Sequence, residues 1–515
     1  MNVIVETVAE TEEHRTSAQR RLLGKTVSDY LLYFPSLAIT ALFGLVSVAV
    51  LSKIFQPAAY GHYSLALSTM LLLSMVTGLW LRSSVMRLLP QYAASQQLPE
   101  FFGTLIAAGL LVTGIVLGGY AVALPLFRQG MDDSLYRLLW LVPLGVPVLT
   151  LFTVIQEMHR INGRSAWYSG LVLVRVLGSF ALGLFLVIQL GLGPAGMILG
   201  MVGVLLAVVI LHLLPAGAGL VTQVRRLRWS TPIFQGMMAY TLPIVGLNLA
   251  STVLAISDRY LIEAYLSSYQ LGIYAVSYSI AEGGMRLIAN TFLVASEPVI
   301  FNSWVKNGPE TTFALIERLF RYYFLLALPA LVGLGLLREE VVTLFSTAEY
   351  AVGSSVVIFV GLALFFHGYS RIVGTVFDAT KRTMIPFVTF VVAGLFNVGL
   401  NLVFLPRFGY QAAAWTTCAS YALLLLLNMV AVRRIVNLRM FGPYLGKIAL
   451  ASAGMGAYLW WARTLLPATA LGVILAMASA AGVYLLLALA LGVIQPEERR
   501  GVLNRLSSRL KRGTA

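Results

Sequence analysis

The chain has 515 residues, of which 59% are apolar and 11% charged, with a mean hydropathy of +0.84 and a formal charge of +15. Soluble domains carry roughly 25% charged residues, so this sequence lacks the polar surface that a water-soluble enzyme of its length needs. The composition is that of an all-α polytopic membrane protein.

The first 28 residues mix Glu6, Glu10, Glu12 and Glu13 with Arg15, Arg20, Arg21 and Lys25 and hold no apolar run of the kind a secretory leader requires. Residues 1–28 are therefore expected to form a cytoplasmic segment. A helix needs about 20 mostly apolar residues to cross a bilayer core, and fourteen such stretches follow. The first six lie near 30–52, 60–81, 101–127, 138–156, 166–190 and 195–215, and make an N-terminal lobe over 29–220. After a linker at 221–235 come 236–257, 270–297, 319–337, 351–377, 385–405 and 411–431, a C-terminal lobe over 236–432. A further pair near 445–465 and 467–493 falls within 433–493, and a basic tail occupies 494–515. The runs lack alternation of period two, which argues against an outer-membrane barrel.

Lys and Arg gather on the cytoplasmic side of membranes. With fourteen spans, most of the 36 fall at the two termini and in the even-numbered loops, from Arg82, Arg87, Arg160 and Arg164 to Arg433 and Arg434. The odd-numbered loops hold Lys53, Arg128, Arg137, Arg259, Arg338, Arg407 and Arg463. An extra or missing span would reverse the downstream sides and erase this bias, so both termini are expected inside. The tail places Val502, Leu503, Leu506 and Leu510 at helical spacing among its basic residues, a pattern for a helix lying on anionic headgroups rather than for a nucleic-acid site.

The two lobes resemble each other. Tyr33-Phe-Pro35 and the later Gly61-His62-Tyr63 have counterparts in Tyr240-Thr-Leu-Pro243 and Gly272-Ile273-Tyr274. Asn162-Gly163-Arg164 and Gly191-Leu-Gly193 are likewise matched by Thr380-Lys381-Arg382 and Gly409-Tyr410-Gln411, in the same order. A repeat of six helices, an even number, enters the membrane the same way twice. It predicts two parallel halves about a pseudo-twofold axis along the membrane normal, with a central cavity between them and the last helix pair outside the repeat.

The segments Asp258-Arg259-Tyr260-Leu261 to Gly272-Ile273-Tyr274-Ala275-Val276, and Lys381-Arg382-Thr383 through Asn397 and Asn401 to Pro406-Arg407-Phe408-Gly409 and Ala412-Ala413, resemble polysaccharide transporters. These are flippases of the multidrug/oligosaccharidyl-lipid/polysaccharide exporter superfamily, and the similarity covers about residues 25–440. The resemblance implies a bacterial inner-membrane protein that moves a polyprenyl-diphosphate-linked oligosaccharide to the outer leaflet for surface polysaccharide assembly, lipopolysaccharide included. It also implies membrane lipids, a polysaccharide polymerase and glycosyltransferases as partners, and a cavity lined by the first, second, seventh and eighth helices.

Charges inside helices cost about 2.5–3.5 kcal/mol each when centred in lipid and mark functional positions. Arg175, Arg286 and Arg371 lie within spans. Glu282 precedes Arg286 by one turn on the same face, and Asn290 continues that face. Two readings are open for this pair: an internal ion pair, or a guanidinium offered to an anionic substrate and tuned by the carboxylate. Arginine suits a diphosphate because its planar fork binds phosphate oxygens bidentately, and the sequence has too few intramembrane carboxylates to pair every such arginine. Arg286, supported by Arg175, is thus the leading substrate contact, with Glu282, Asn290, Asn248, His62, Asp258 and Arg259 as further cavity candidates. Asp258 and Arg259 also read as interface anchors at a helix end. Arg371 is close enough to the end of its span to snorkel, and His367 reads as a hydrogen-bonded bundle residue. Arg82 and Arg87, following the second span, are placed at the cytoplasmic mouth.

The sequence offers no catalytic residues, no metal-ligand cluster and no phosphate-binding glycine loop, and its one cysteine, Cys418, forms no disulfide within the chain. A non-enzymatic transporter without a cofactor is expected, with coupling to a proton or sodium gradient left open. The competing reading is a cation-coupled multidrug antiporter of the same superfamily fold, which needs an acidic rather than a cationic cavity.

Overall fold

The computed structural model describes residues 39–40, 42–214, 227–436, 444–465 and 469–493. The expected N-terminal segment, the basic tail, residues 221–226 of the linker at 221–235 and the start of the first span lie outside the described residues.

The described chain is helical from end to end. Leu42–Ile54 is α1. Then follow α2 (Pro57–Ala94), α3 (Leu98–Leu126), α4 (Asp133–Leu139), α5 (Val142–Ile161) and α6 (Ser165–Leu173). A π-helical turn, Val174–Gly178, joins α6 to α7 (Ser179–Leu190), which precedes α8 (Gly193–Leu213). The second half holds α9 (Thr231–Tyr265), α10 (Ser268–Leu336), the short α11 (Arg338–Phe345) and α12 (Ala348–Ala351), and α13 (Ser354–Ala379). It closes with α14 (Met384–Phe408), α15 (Tyr410–Arg433), α16 (Tyr444–Leu465) and α17 (Ala470–Ala490).

Among the described residues, eleven helices are long and apolar enough to cross a membrane. The protein is therefore a multi-pass, all-helical membrane protein. The stretches expected near 270–297 and 445–465 are also helical, but Gly, Ser, Tyr and charged residues dilute their apolar content. Three boundaries differ from the sequence expectation. The second span continues to Ala94, so Arg82 and Arg87 sit on the helix rather than after it. The seventh continues past 257 to Tyr265. The segment between the eighth and ninth spans, expected as a loop, is helical and broken at Gly308, whose φ of 80° ends one helix before Pro309 and Glu310 begin the next.

The chain packs as two compact units, one drawn from residues 1–44 and 66–245 and the other from 45–65 and 246–515. In the first, α7 and α8 approach closely because small residues face each other: a Cβ on Gly200 would run into the Gly183 backbone, and one on Gly196 would lie 3.0 Å from the Val187 nitrogen. Apolar side chains of α2, α3 and α9, including Val85, Phe101, Ala108 and Met237, form a second packed cluster there. In the other unit, a knot of neutral polar groups ties α9, α14 and α15 together. Ser257 Oγ and Asn401 Nδ2 both donate to Asn397 Oδ1 (3.0 and 3.1 Å), Thr416 Oγ1 donates to Asn401 Oδ1 (2.7 Å), and Asn397 Nδ2 donates to Thr417 Oγ1 (3.3 Å). Asn397 and Asn401 are fully buried, where unpaired amides are costly; the one-turn spacing of the two lets them satisfy each other.

Candidate functional site

The second unit carries the larger set of charged groups. Arg286 and Glu282 on α10 form an ion pair of 2.5 Å, with 54% of the arginine side chain exposed. One turn further along, Arg286, Met285, Ala289 and Leu293 of α10 face Leu364, His367, Gly368 and Arg371 of α13 across an open cleft. Arg371 reaches Glu297 of α10 at 3.5 Å. His367 lines the same cleft as the two arginines, whose charges both act on it, and packs against Tyr421 with ring centroids 5.0 Å apart. The cleft thus presents two guanidinium groups around one imidazole, each guanidinium held by a carboxylate one side away. Within this unit, Arg286 and Arg371 both have a carboxylate partner.

Asp258 is a second correction. Expected as an interface anchor at a helix end, it is 1% exposed, because α9 continues for seven residues beyond it. Its carboxylate accepts hydrogen bonds from the Tyr274 hydroxyl and from the Arg259 backbone N–H (2.8 Å). The Arg259 guanidinium stacks over the Tyr278 ring at 5.4 Å, and the acidic groups acting on it are Asp258 and Glu282. Asp258, Arg259, Glu282 and Arg286 therefore form a run of alternating charge on α9 and α10. His62 is buried at the start of α2, in the portion belonging to this unit, and Asn248 is half-buried on α9. The Asn290 side chain lies outside the described residues.

In the first unit, Arg175 occupies the π-helical turn between α6 and α7. Its Nε has no hydrogen-bond partner, and no ion pair to it occurs among the described residues. A π turn widens the helix and is frequent at functional positions; nothing in the apolar pattern of α6 and α7 marks it. Arg82 lies 3.8 Å from Glu157 on α5, which also pairs with Arg160 at 2.7 Å. Glu157 is 3% exposed and was not singled out by the sequence reading, although it is the sole acid in α5. Arg87 is exposed. Of the arginines expected at the cytoplasmic mouth, Arg82 has a carboxylate partner.

The charged clusters place guanidinium groups on helices in both units, with carboxylates beside several of them. A family model described as polysaccharide biosynthesis protein matches residues 27–304. No curated protein matches the chain. Among solved structures, a lipid II flippase MurJ in an inward closed conformation superposes with a TM-score of 0.72 at 17% identity, covering 90% of this chain and 99% of that one. An inward-facing multidrug resistance MATE transporter of the MOP superfamily superposes with a TM-score of 0.62 at 13% identity, covering 77% and 94%. A MOP superfamily transporter from Pyrococcus furiosus, described by a reversed polarity of its binding pocket, gives 0.54 at 14% identity, covering 80% and 94%. At these identities the superpositions establish a shared fold.

Proposed function

We propose, since this chain belongs to the polysaccharide biosynthesis protein family, that it is a flippase carrying a polyprenyl-diphosphate-linked oligosaccharide across the bacterial cytoplasmic membrane. The observation that carries this reading is the cleft between α10 and α13, where Arg286 and Arg371 flank His367. Two guanidinium forks within one cleft match a diphosphate, which offers several acceptor oxygens and more than one negative charge. Glu282 and Glu297 hold the forks in place while the cleft is empty and give them up to the stronger anion.

On this reading the chain has fourteen spans with both termini cytoplasmic, two parallel six-helix repeats and an added helix pair, and it works by alternating access. A proton or sodium gradient would drive it, and polymerase and glycosyltransferase partners would supply and consume its cargo. The test is reconstitution in vesicles holding a fluorescent polyprenyl-diphosphate glycan on one leaflet. Transfer of this lipid, and none of a monophosphate or neutral analogue, is the expected result.

A second reading, a cation-coupled multidrug antiporter, is favoured by the buried Asp258 carboxylate and by the fold shared with a multidrug transporter. Uptake of a cationic dye into the same vesicles, without lipid transfer, would select it.

A further inference from the structure

At the ends of α5 and α8, within the first unit, His159 and His212 meet with their Nε2 atoms 3.1 Å apart. The tautomers follow from the partners. His212 Nδ1 lies 2.9 Å from the Val208 carbonyl oxygen, which only accepts, so Nδ1 carries the proton and, in the neutral ring, Nε2 offers its lone pair to His159. The His159 ring is fixed in turn by Trp167 at the start of α6, stacked at an interplanar angle of 13° with centroids 5.7 Å apart.

We propose that His159 and His212 form a binding site for a borderline divalent transition-metal ion of the zinc, nickel or copper class, which braces the end of α5 against the end of α8. Three features of the pair support this. Metal–imidazole bonds of about 2.0–2.1 Å place neighbouring ligand nitrogens about 3 Å apart, which is the separation already present. A ligating histidine ordinarily gives its other ring N–H to a carbonyl, which orients the ring and raises the basicity of the ligating nitrogen; His212 makes that bond to Val208. Both rings are half-exposed in the last turns of their helices, so an ion and its waters have access.

Binding requires His159 to move its proton from Nε2 to Nδ1 through solvent, after which both Nε2 lone pairs point at the ion. Among the described residues no group of three or more His, Cys, Asp or Glu converges to hold a metal, so water completes the shell and the ion is exchangeable. Arg164, in the turn after α5, is the described charged side chain that acts on His159, and Glu157 on α5 is engaged by Arg160. These leave a compact imidazole ligand set suited to borderline metals and not to magnesium, which demands oxygen.

The test uses full-length protein in detergent, purified with a histidine-free tag and titrated with zinc chloride or magnesium chloride. Zinc is expected to bind at one ion per chain by equilibrium dialysis against buffered zinc and to raise the melting temperature, while magnesium does neither. His212→Ala and His159→Gln should each weaken zinc binding at least tenfold. The glutamine keeps an amide donor for His212 Nε2 and so preserves the helix contact in the absence of metal. His14→Ala and Cys418→Ser, which remove other ligands, should bind as the parent does. Zinc binding that survives in His159→Gln, or no zinc binding by the parent, would overturn the proposal and leave a neutral hydrogen bond between two helix ends.

Discussion

Gly61 on α2 and Gly272 on α10 meet backbone to backbone within the second unit. A Cβ built on Gly61 would strike the Ser268 carbonyl oxygen and lie 3.1 Å from the Gly272 nitrogen, and one built on Gly272 would strike the Pro57 carbonyl. The surrounding side chains lock the same junction: Tyr350 donates to the Phe55 carbonyl at 2.7 Å and Ser52 to the Phe345 carbonyl at 2.9 Å. The two glycines are the repeat-related landmarks of the sequence, and tertiary contact gives each of them a steric reason to be glycine.

Gly61→Ala and Gly272→Ala should therefore each destabilise the described arrangement by about 1–3 kcal/mol, the usual cost of overpacking a tight contact. The double variant should cost less than the sum, because one separation of the helices relieves both clashes. Thermal melts of the purified protein measure this. Additive losses would mean that the two positions do not share a contact.

Arg286→Ala is expected to reduce lipid transfer roughly ten- to hundredfold, as loss of one charged hydrogen-bonding contact of about 1.5–3 kcal/mol would, while the protein stays in the membrane. Arg286→Lys should retain part of the activity, since the charge remains but the bidentate fork is lost. The decisive variant combines Glu282→Gln with Arg286→Gln. Two neutral amides can bond each other across the 2.5 Å pair, so recovered transport in that variant would make the pair purely structural; continued inactivity is the expected outcome.

Arg175 should behave in the opposite way with respect to stability. A guanidinium on a π turn without an acidic partner among the described residues is a cost that function retains. Arg175→Leu is expected to leave the melting temperature unchanged or raise it while transport falls at least tenfold. A large loss of stability would identify Arg175 as a structural residue instead.

Reporter fusions after Pro194, Glu340 and Arg463 are expected to read as outside, and fusions after Arg226, Arg382 and Arg439 as inside. The assay distinguishes periplasmic from cytoplasmic activity of the fused enzyme. An outside signal after Arg226 would change the number of spans by one.

The apolar runs alone determined that this chain crosses a membrane as helices and roughly where each helix lies, because a bilayer requires a fixed length of apolar residues and internal satisfaction of every backbone hydrogen bond. Glu282 and Arg286 were also legible as a pair, since one helical turn brings them together whatever the fold. Partners from distant positions were not. Arg371 finds Glu297 and His159 finds His212 only because separate helices bring them side by side, and no local pattern encodes which helix faces which. Asp258 was misplaced for the same reason: its neighbours in sequence suggest a helix end, whereas α9 runs on and the Tyr274 hydroxyl, contributed by the next helix, meets the buried carboxylate. Packing decided which charges are paired and where glycine alone fits.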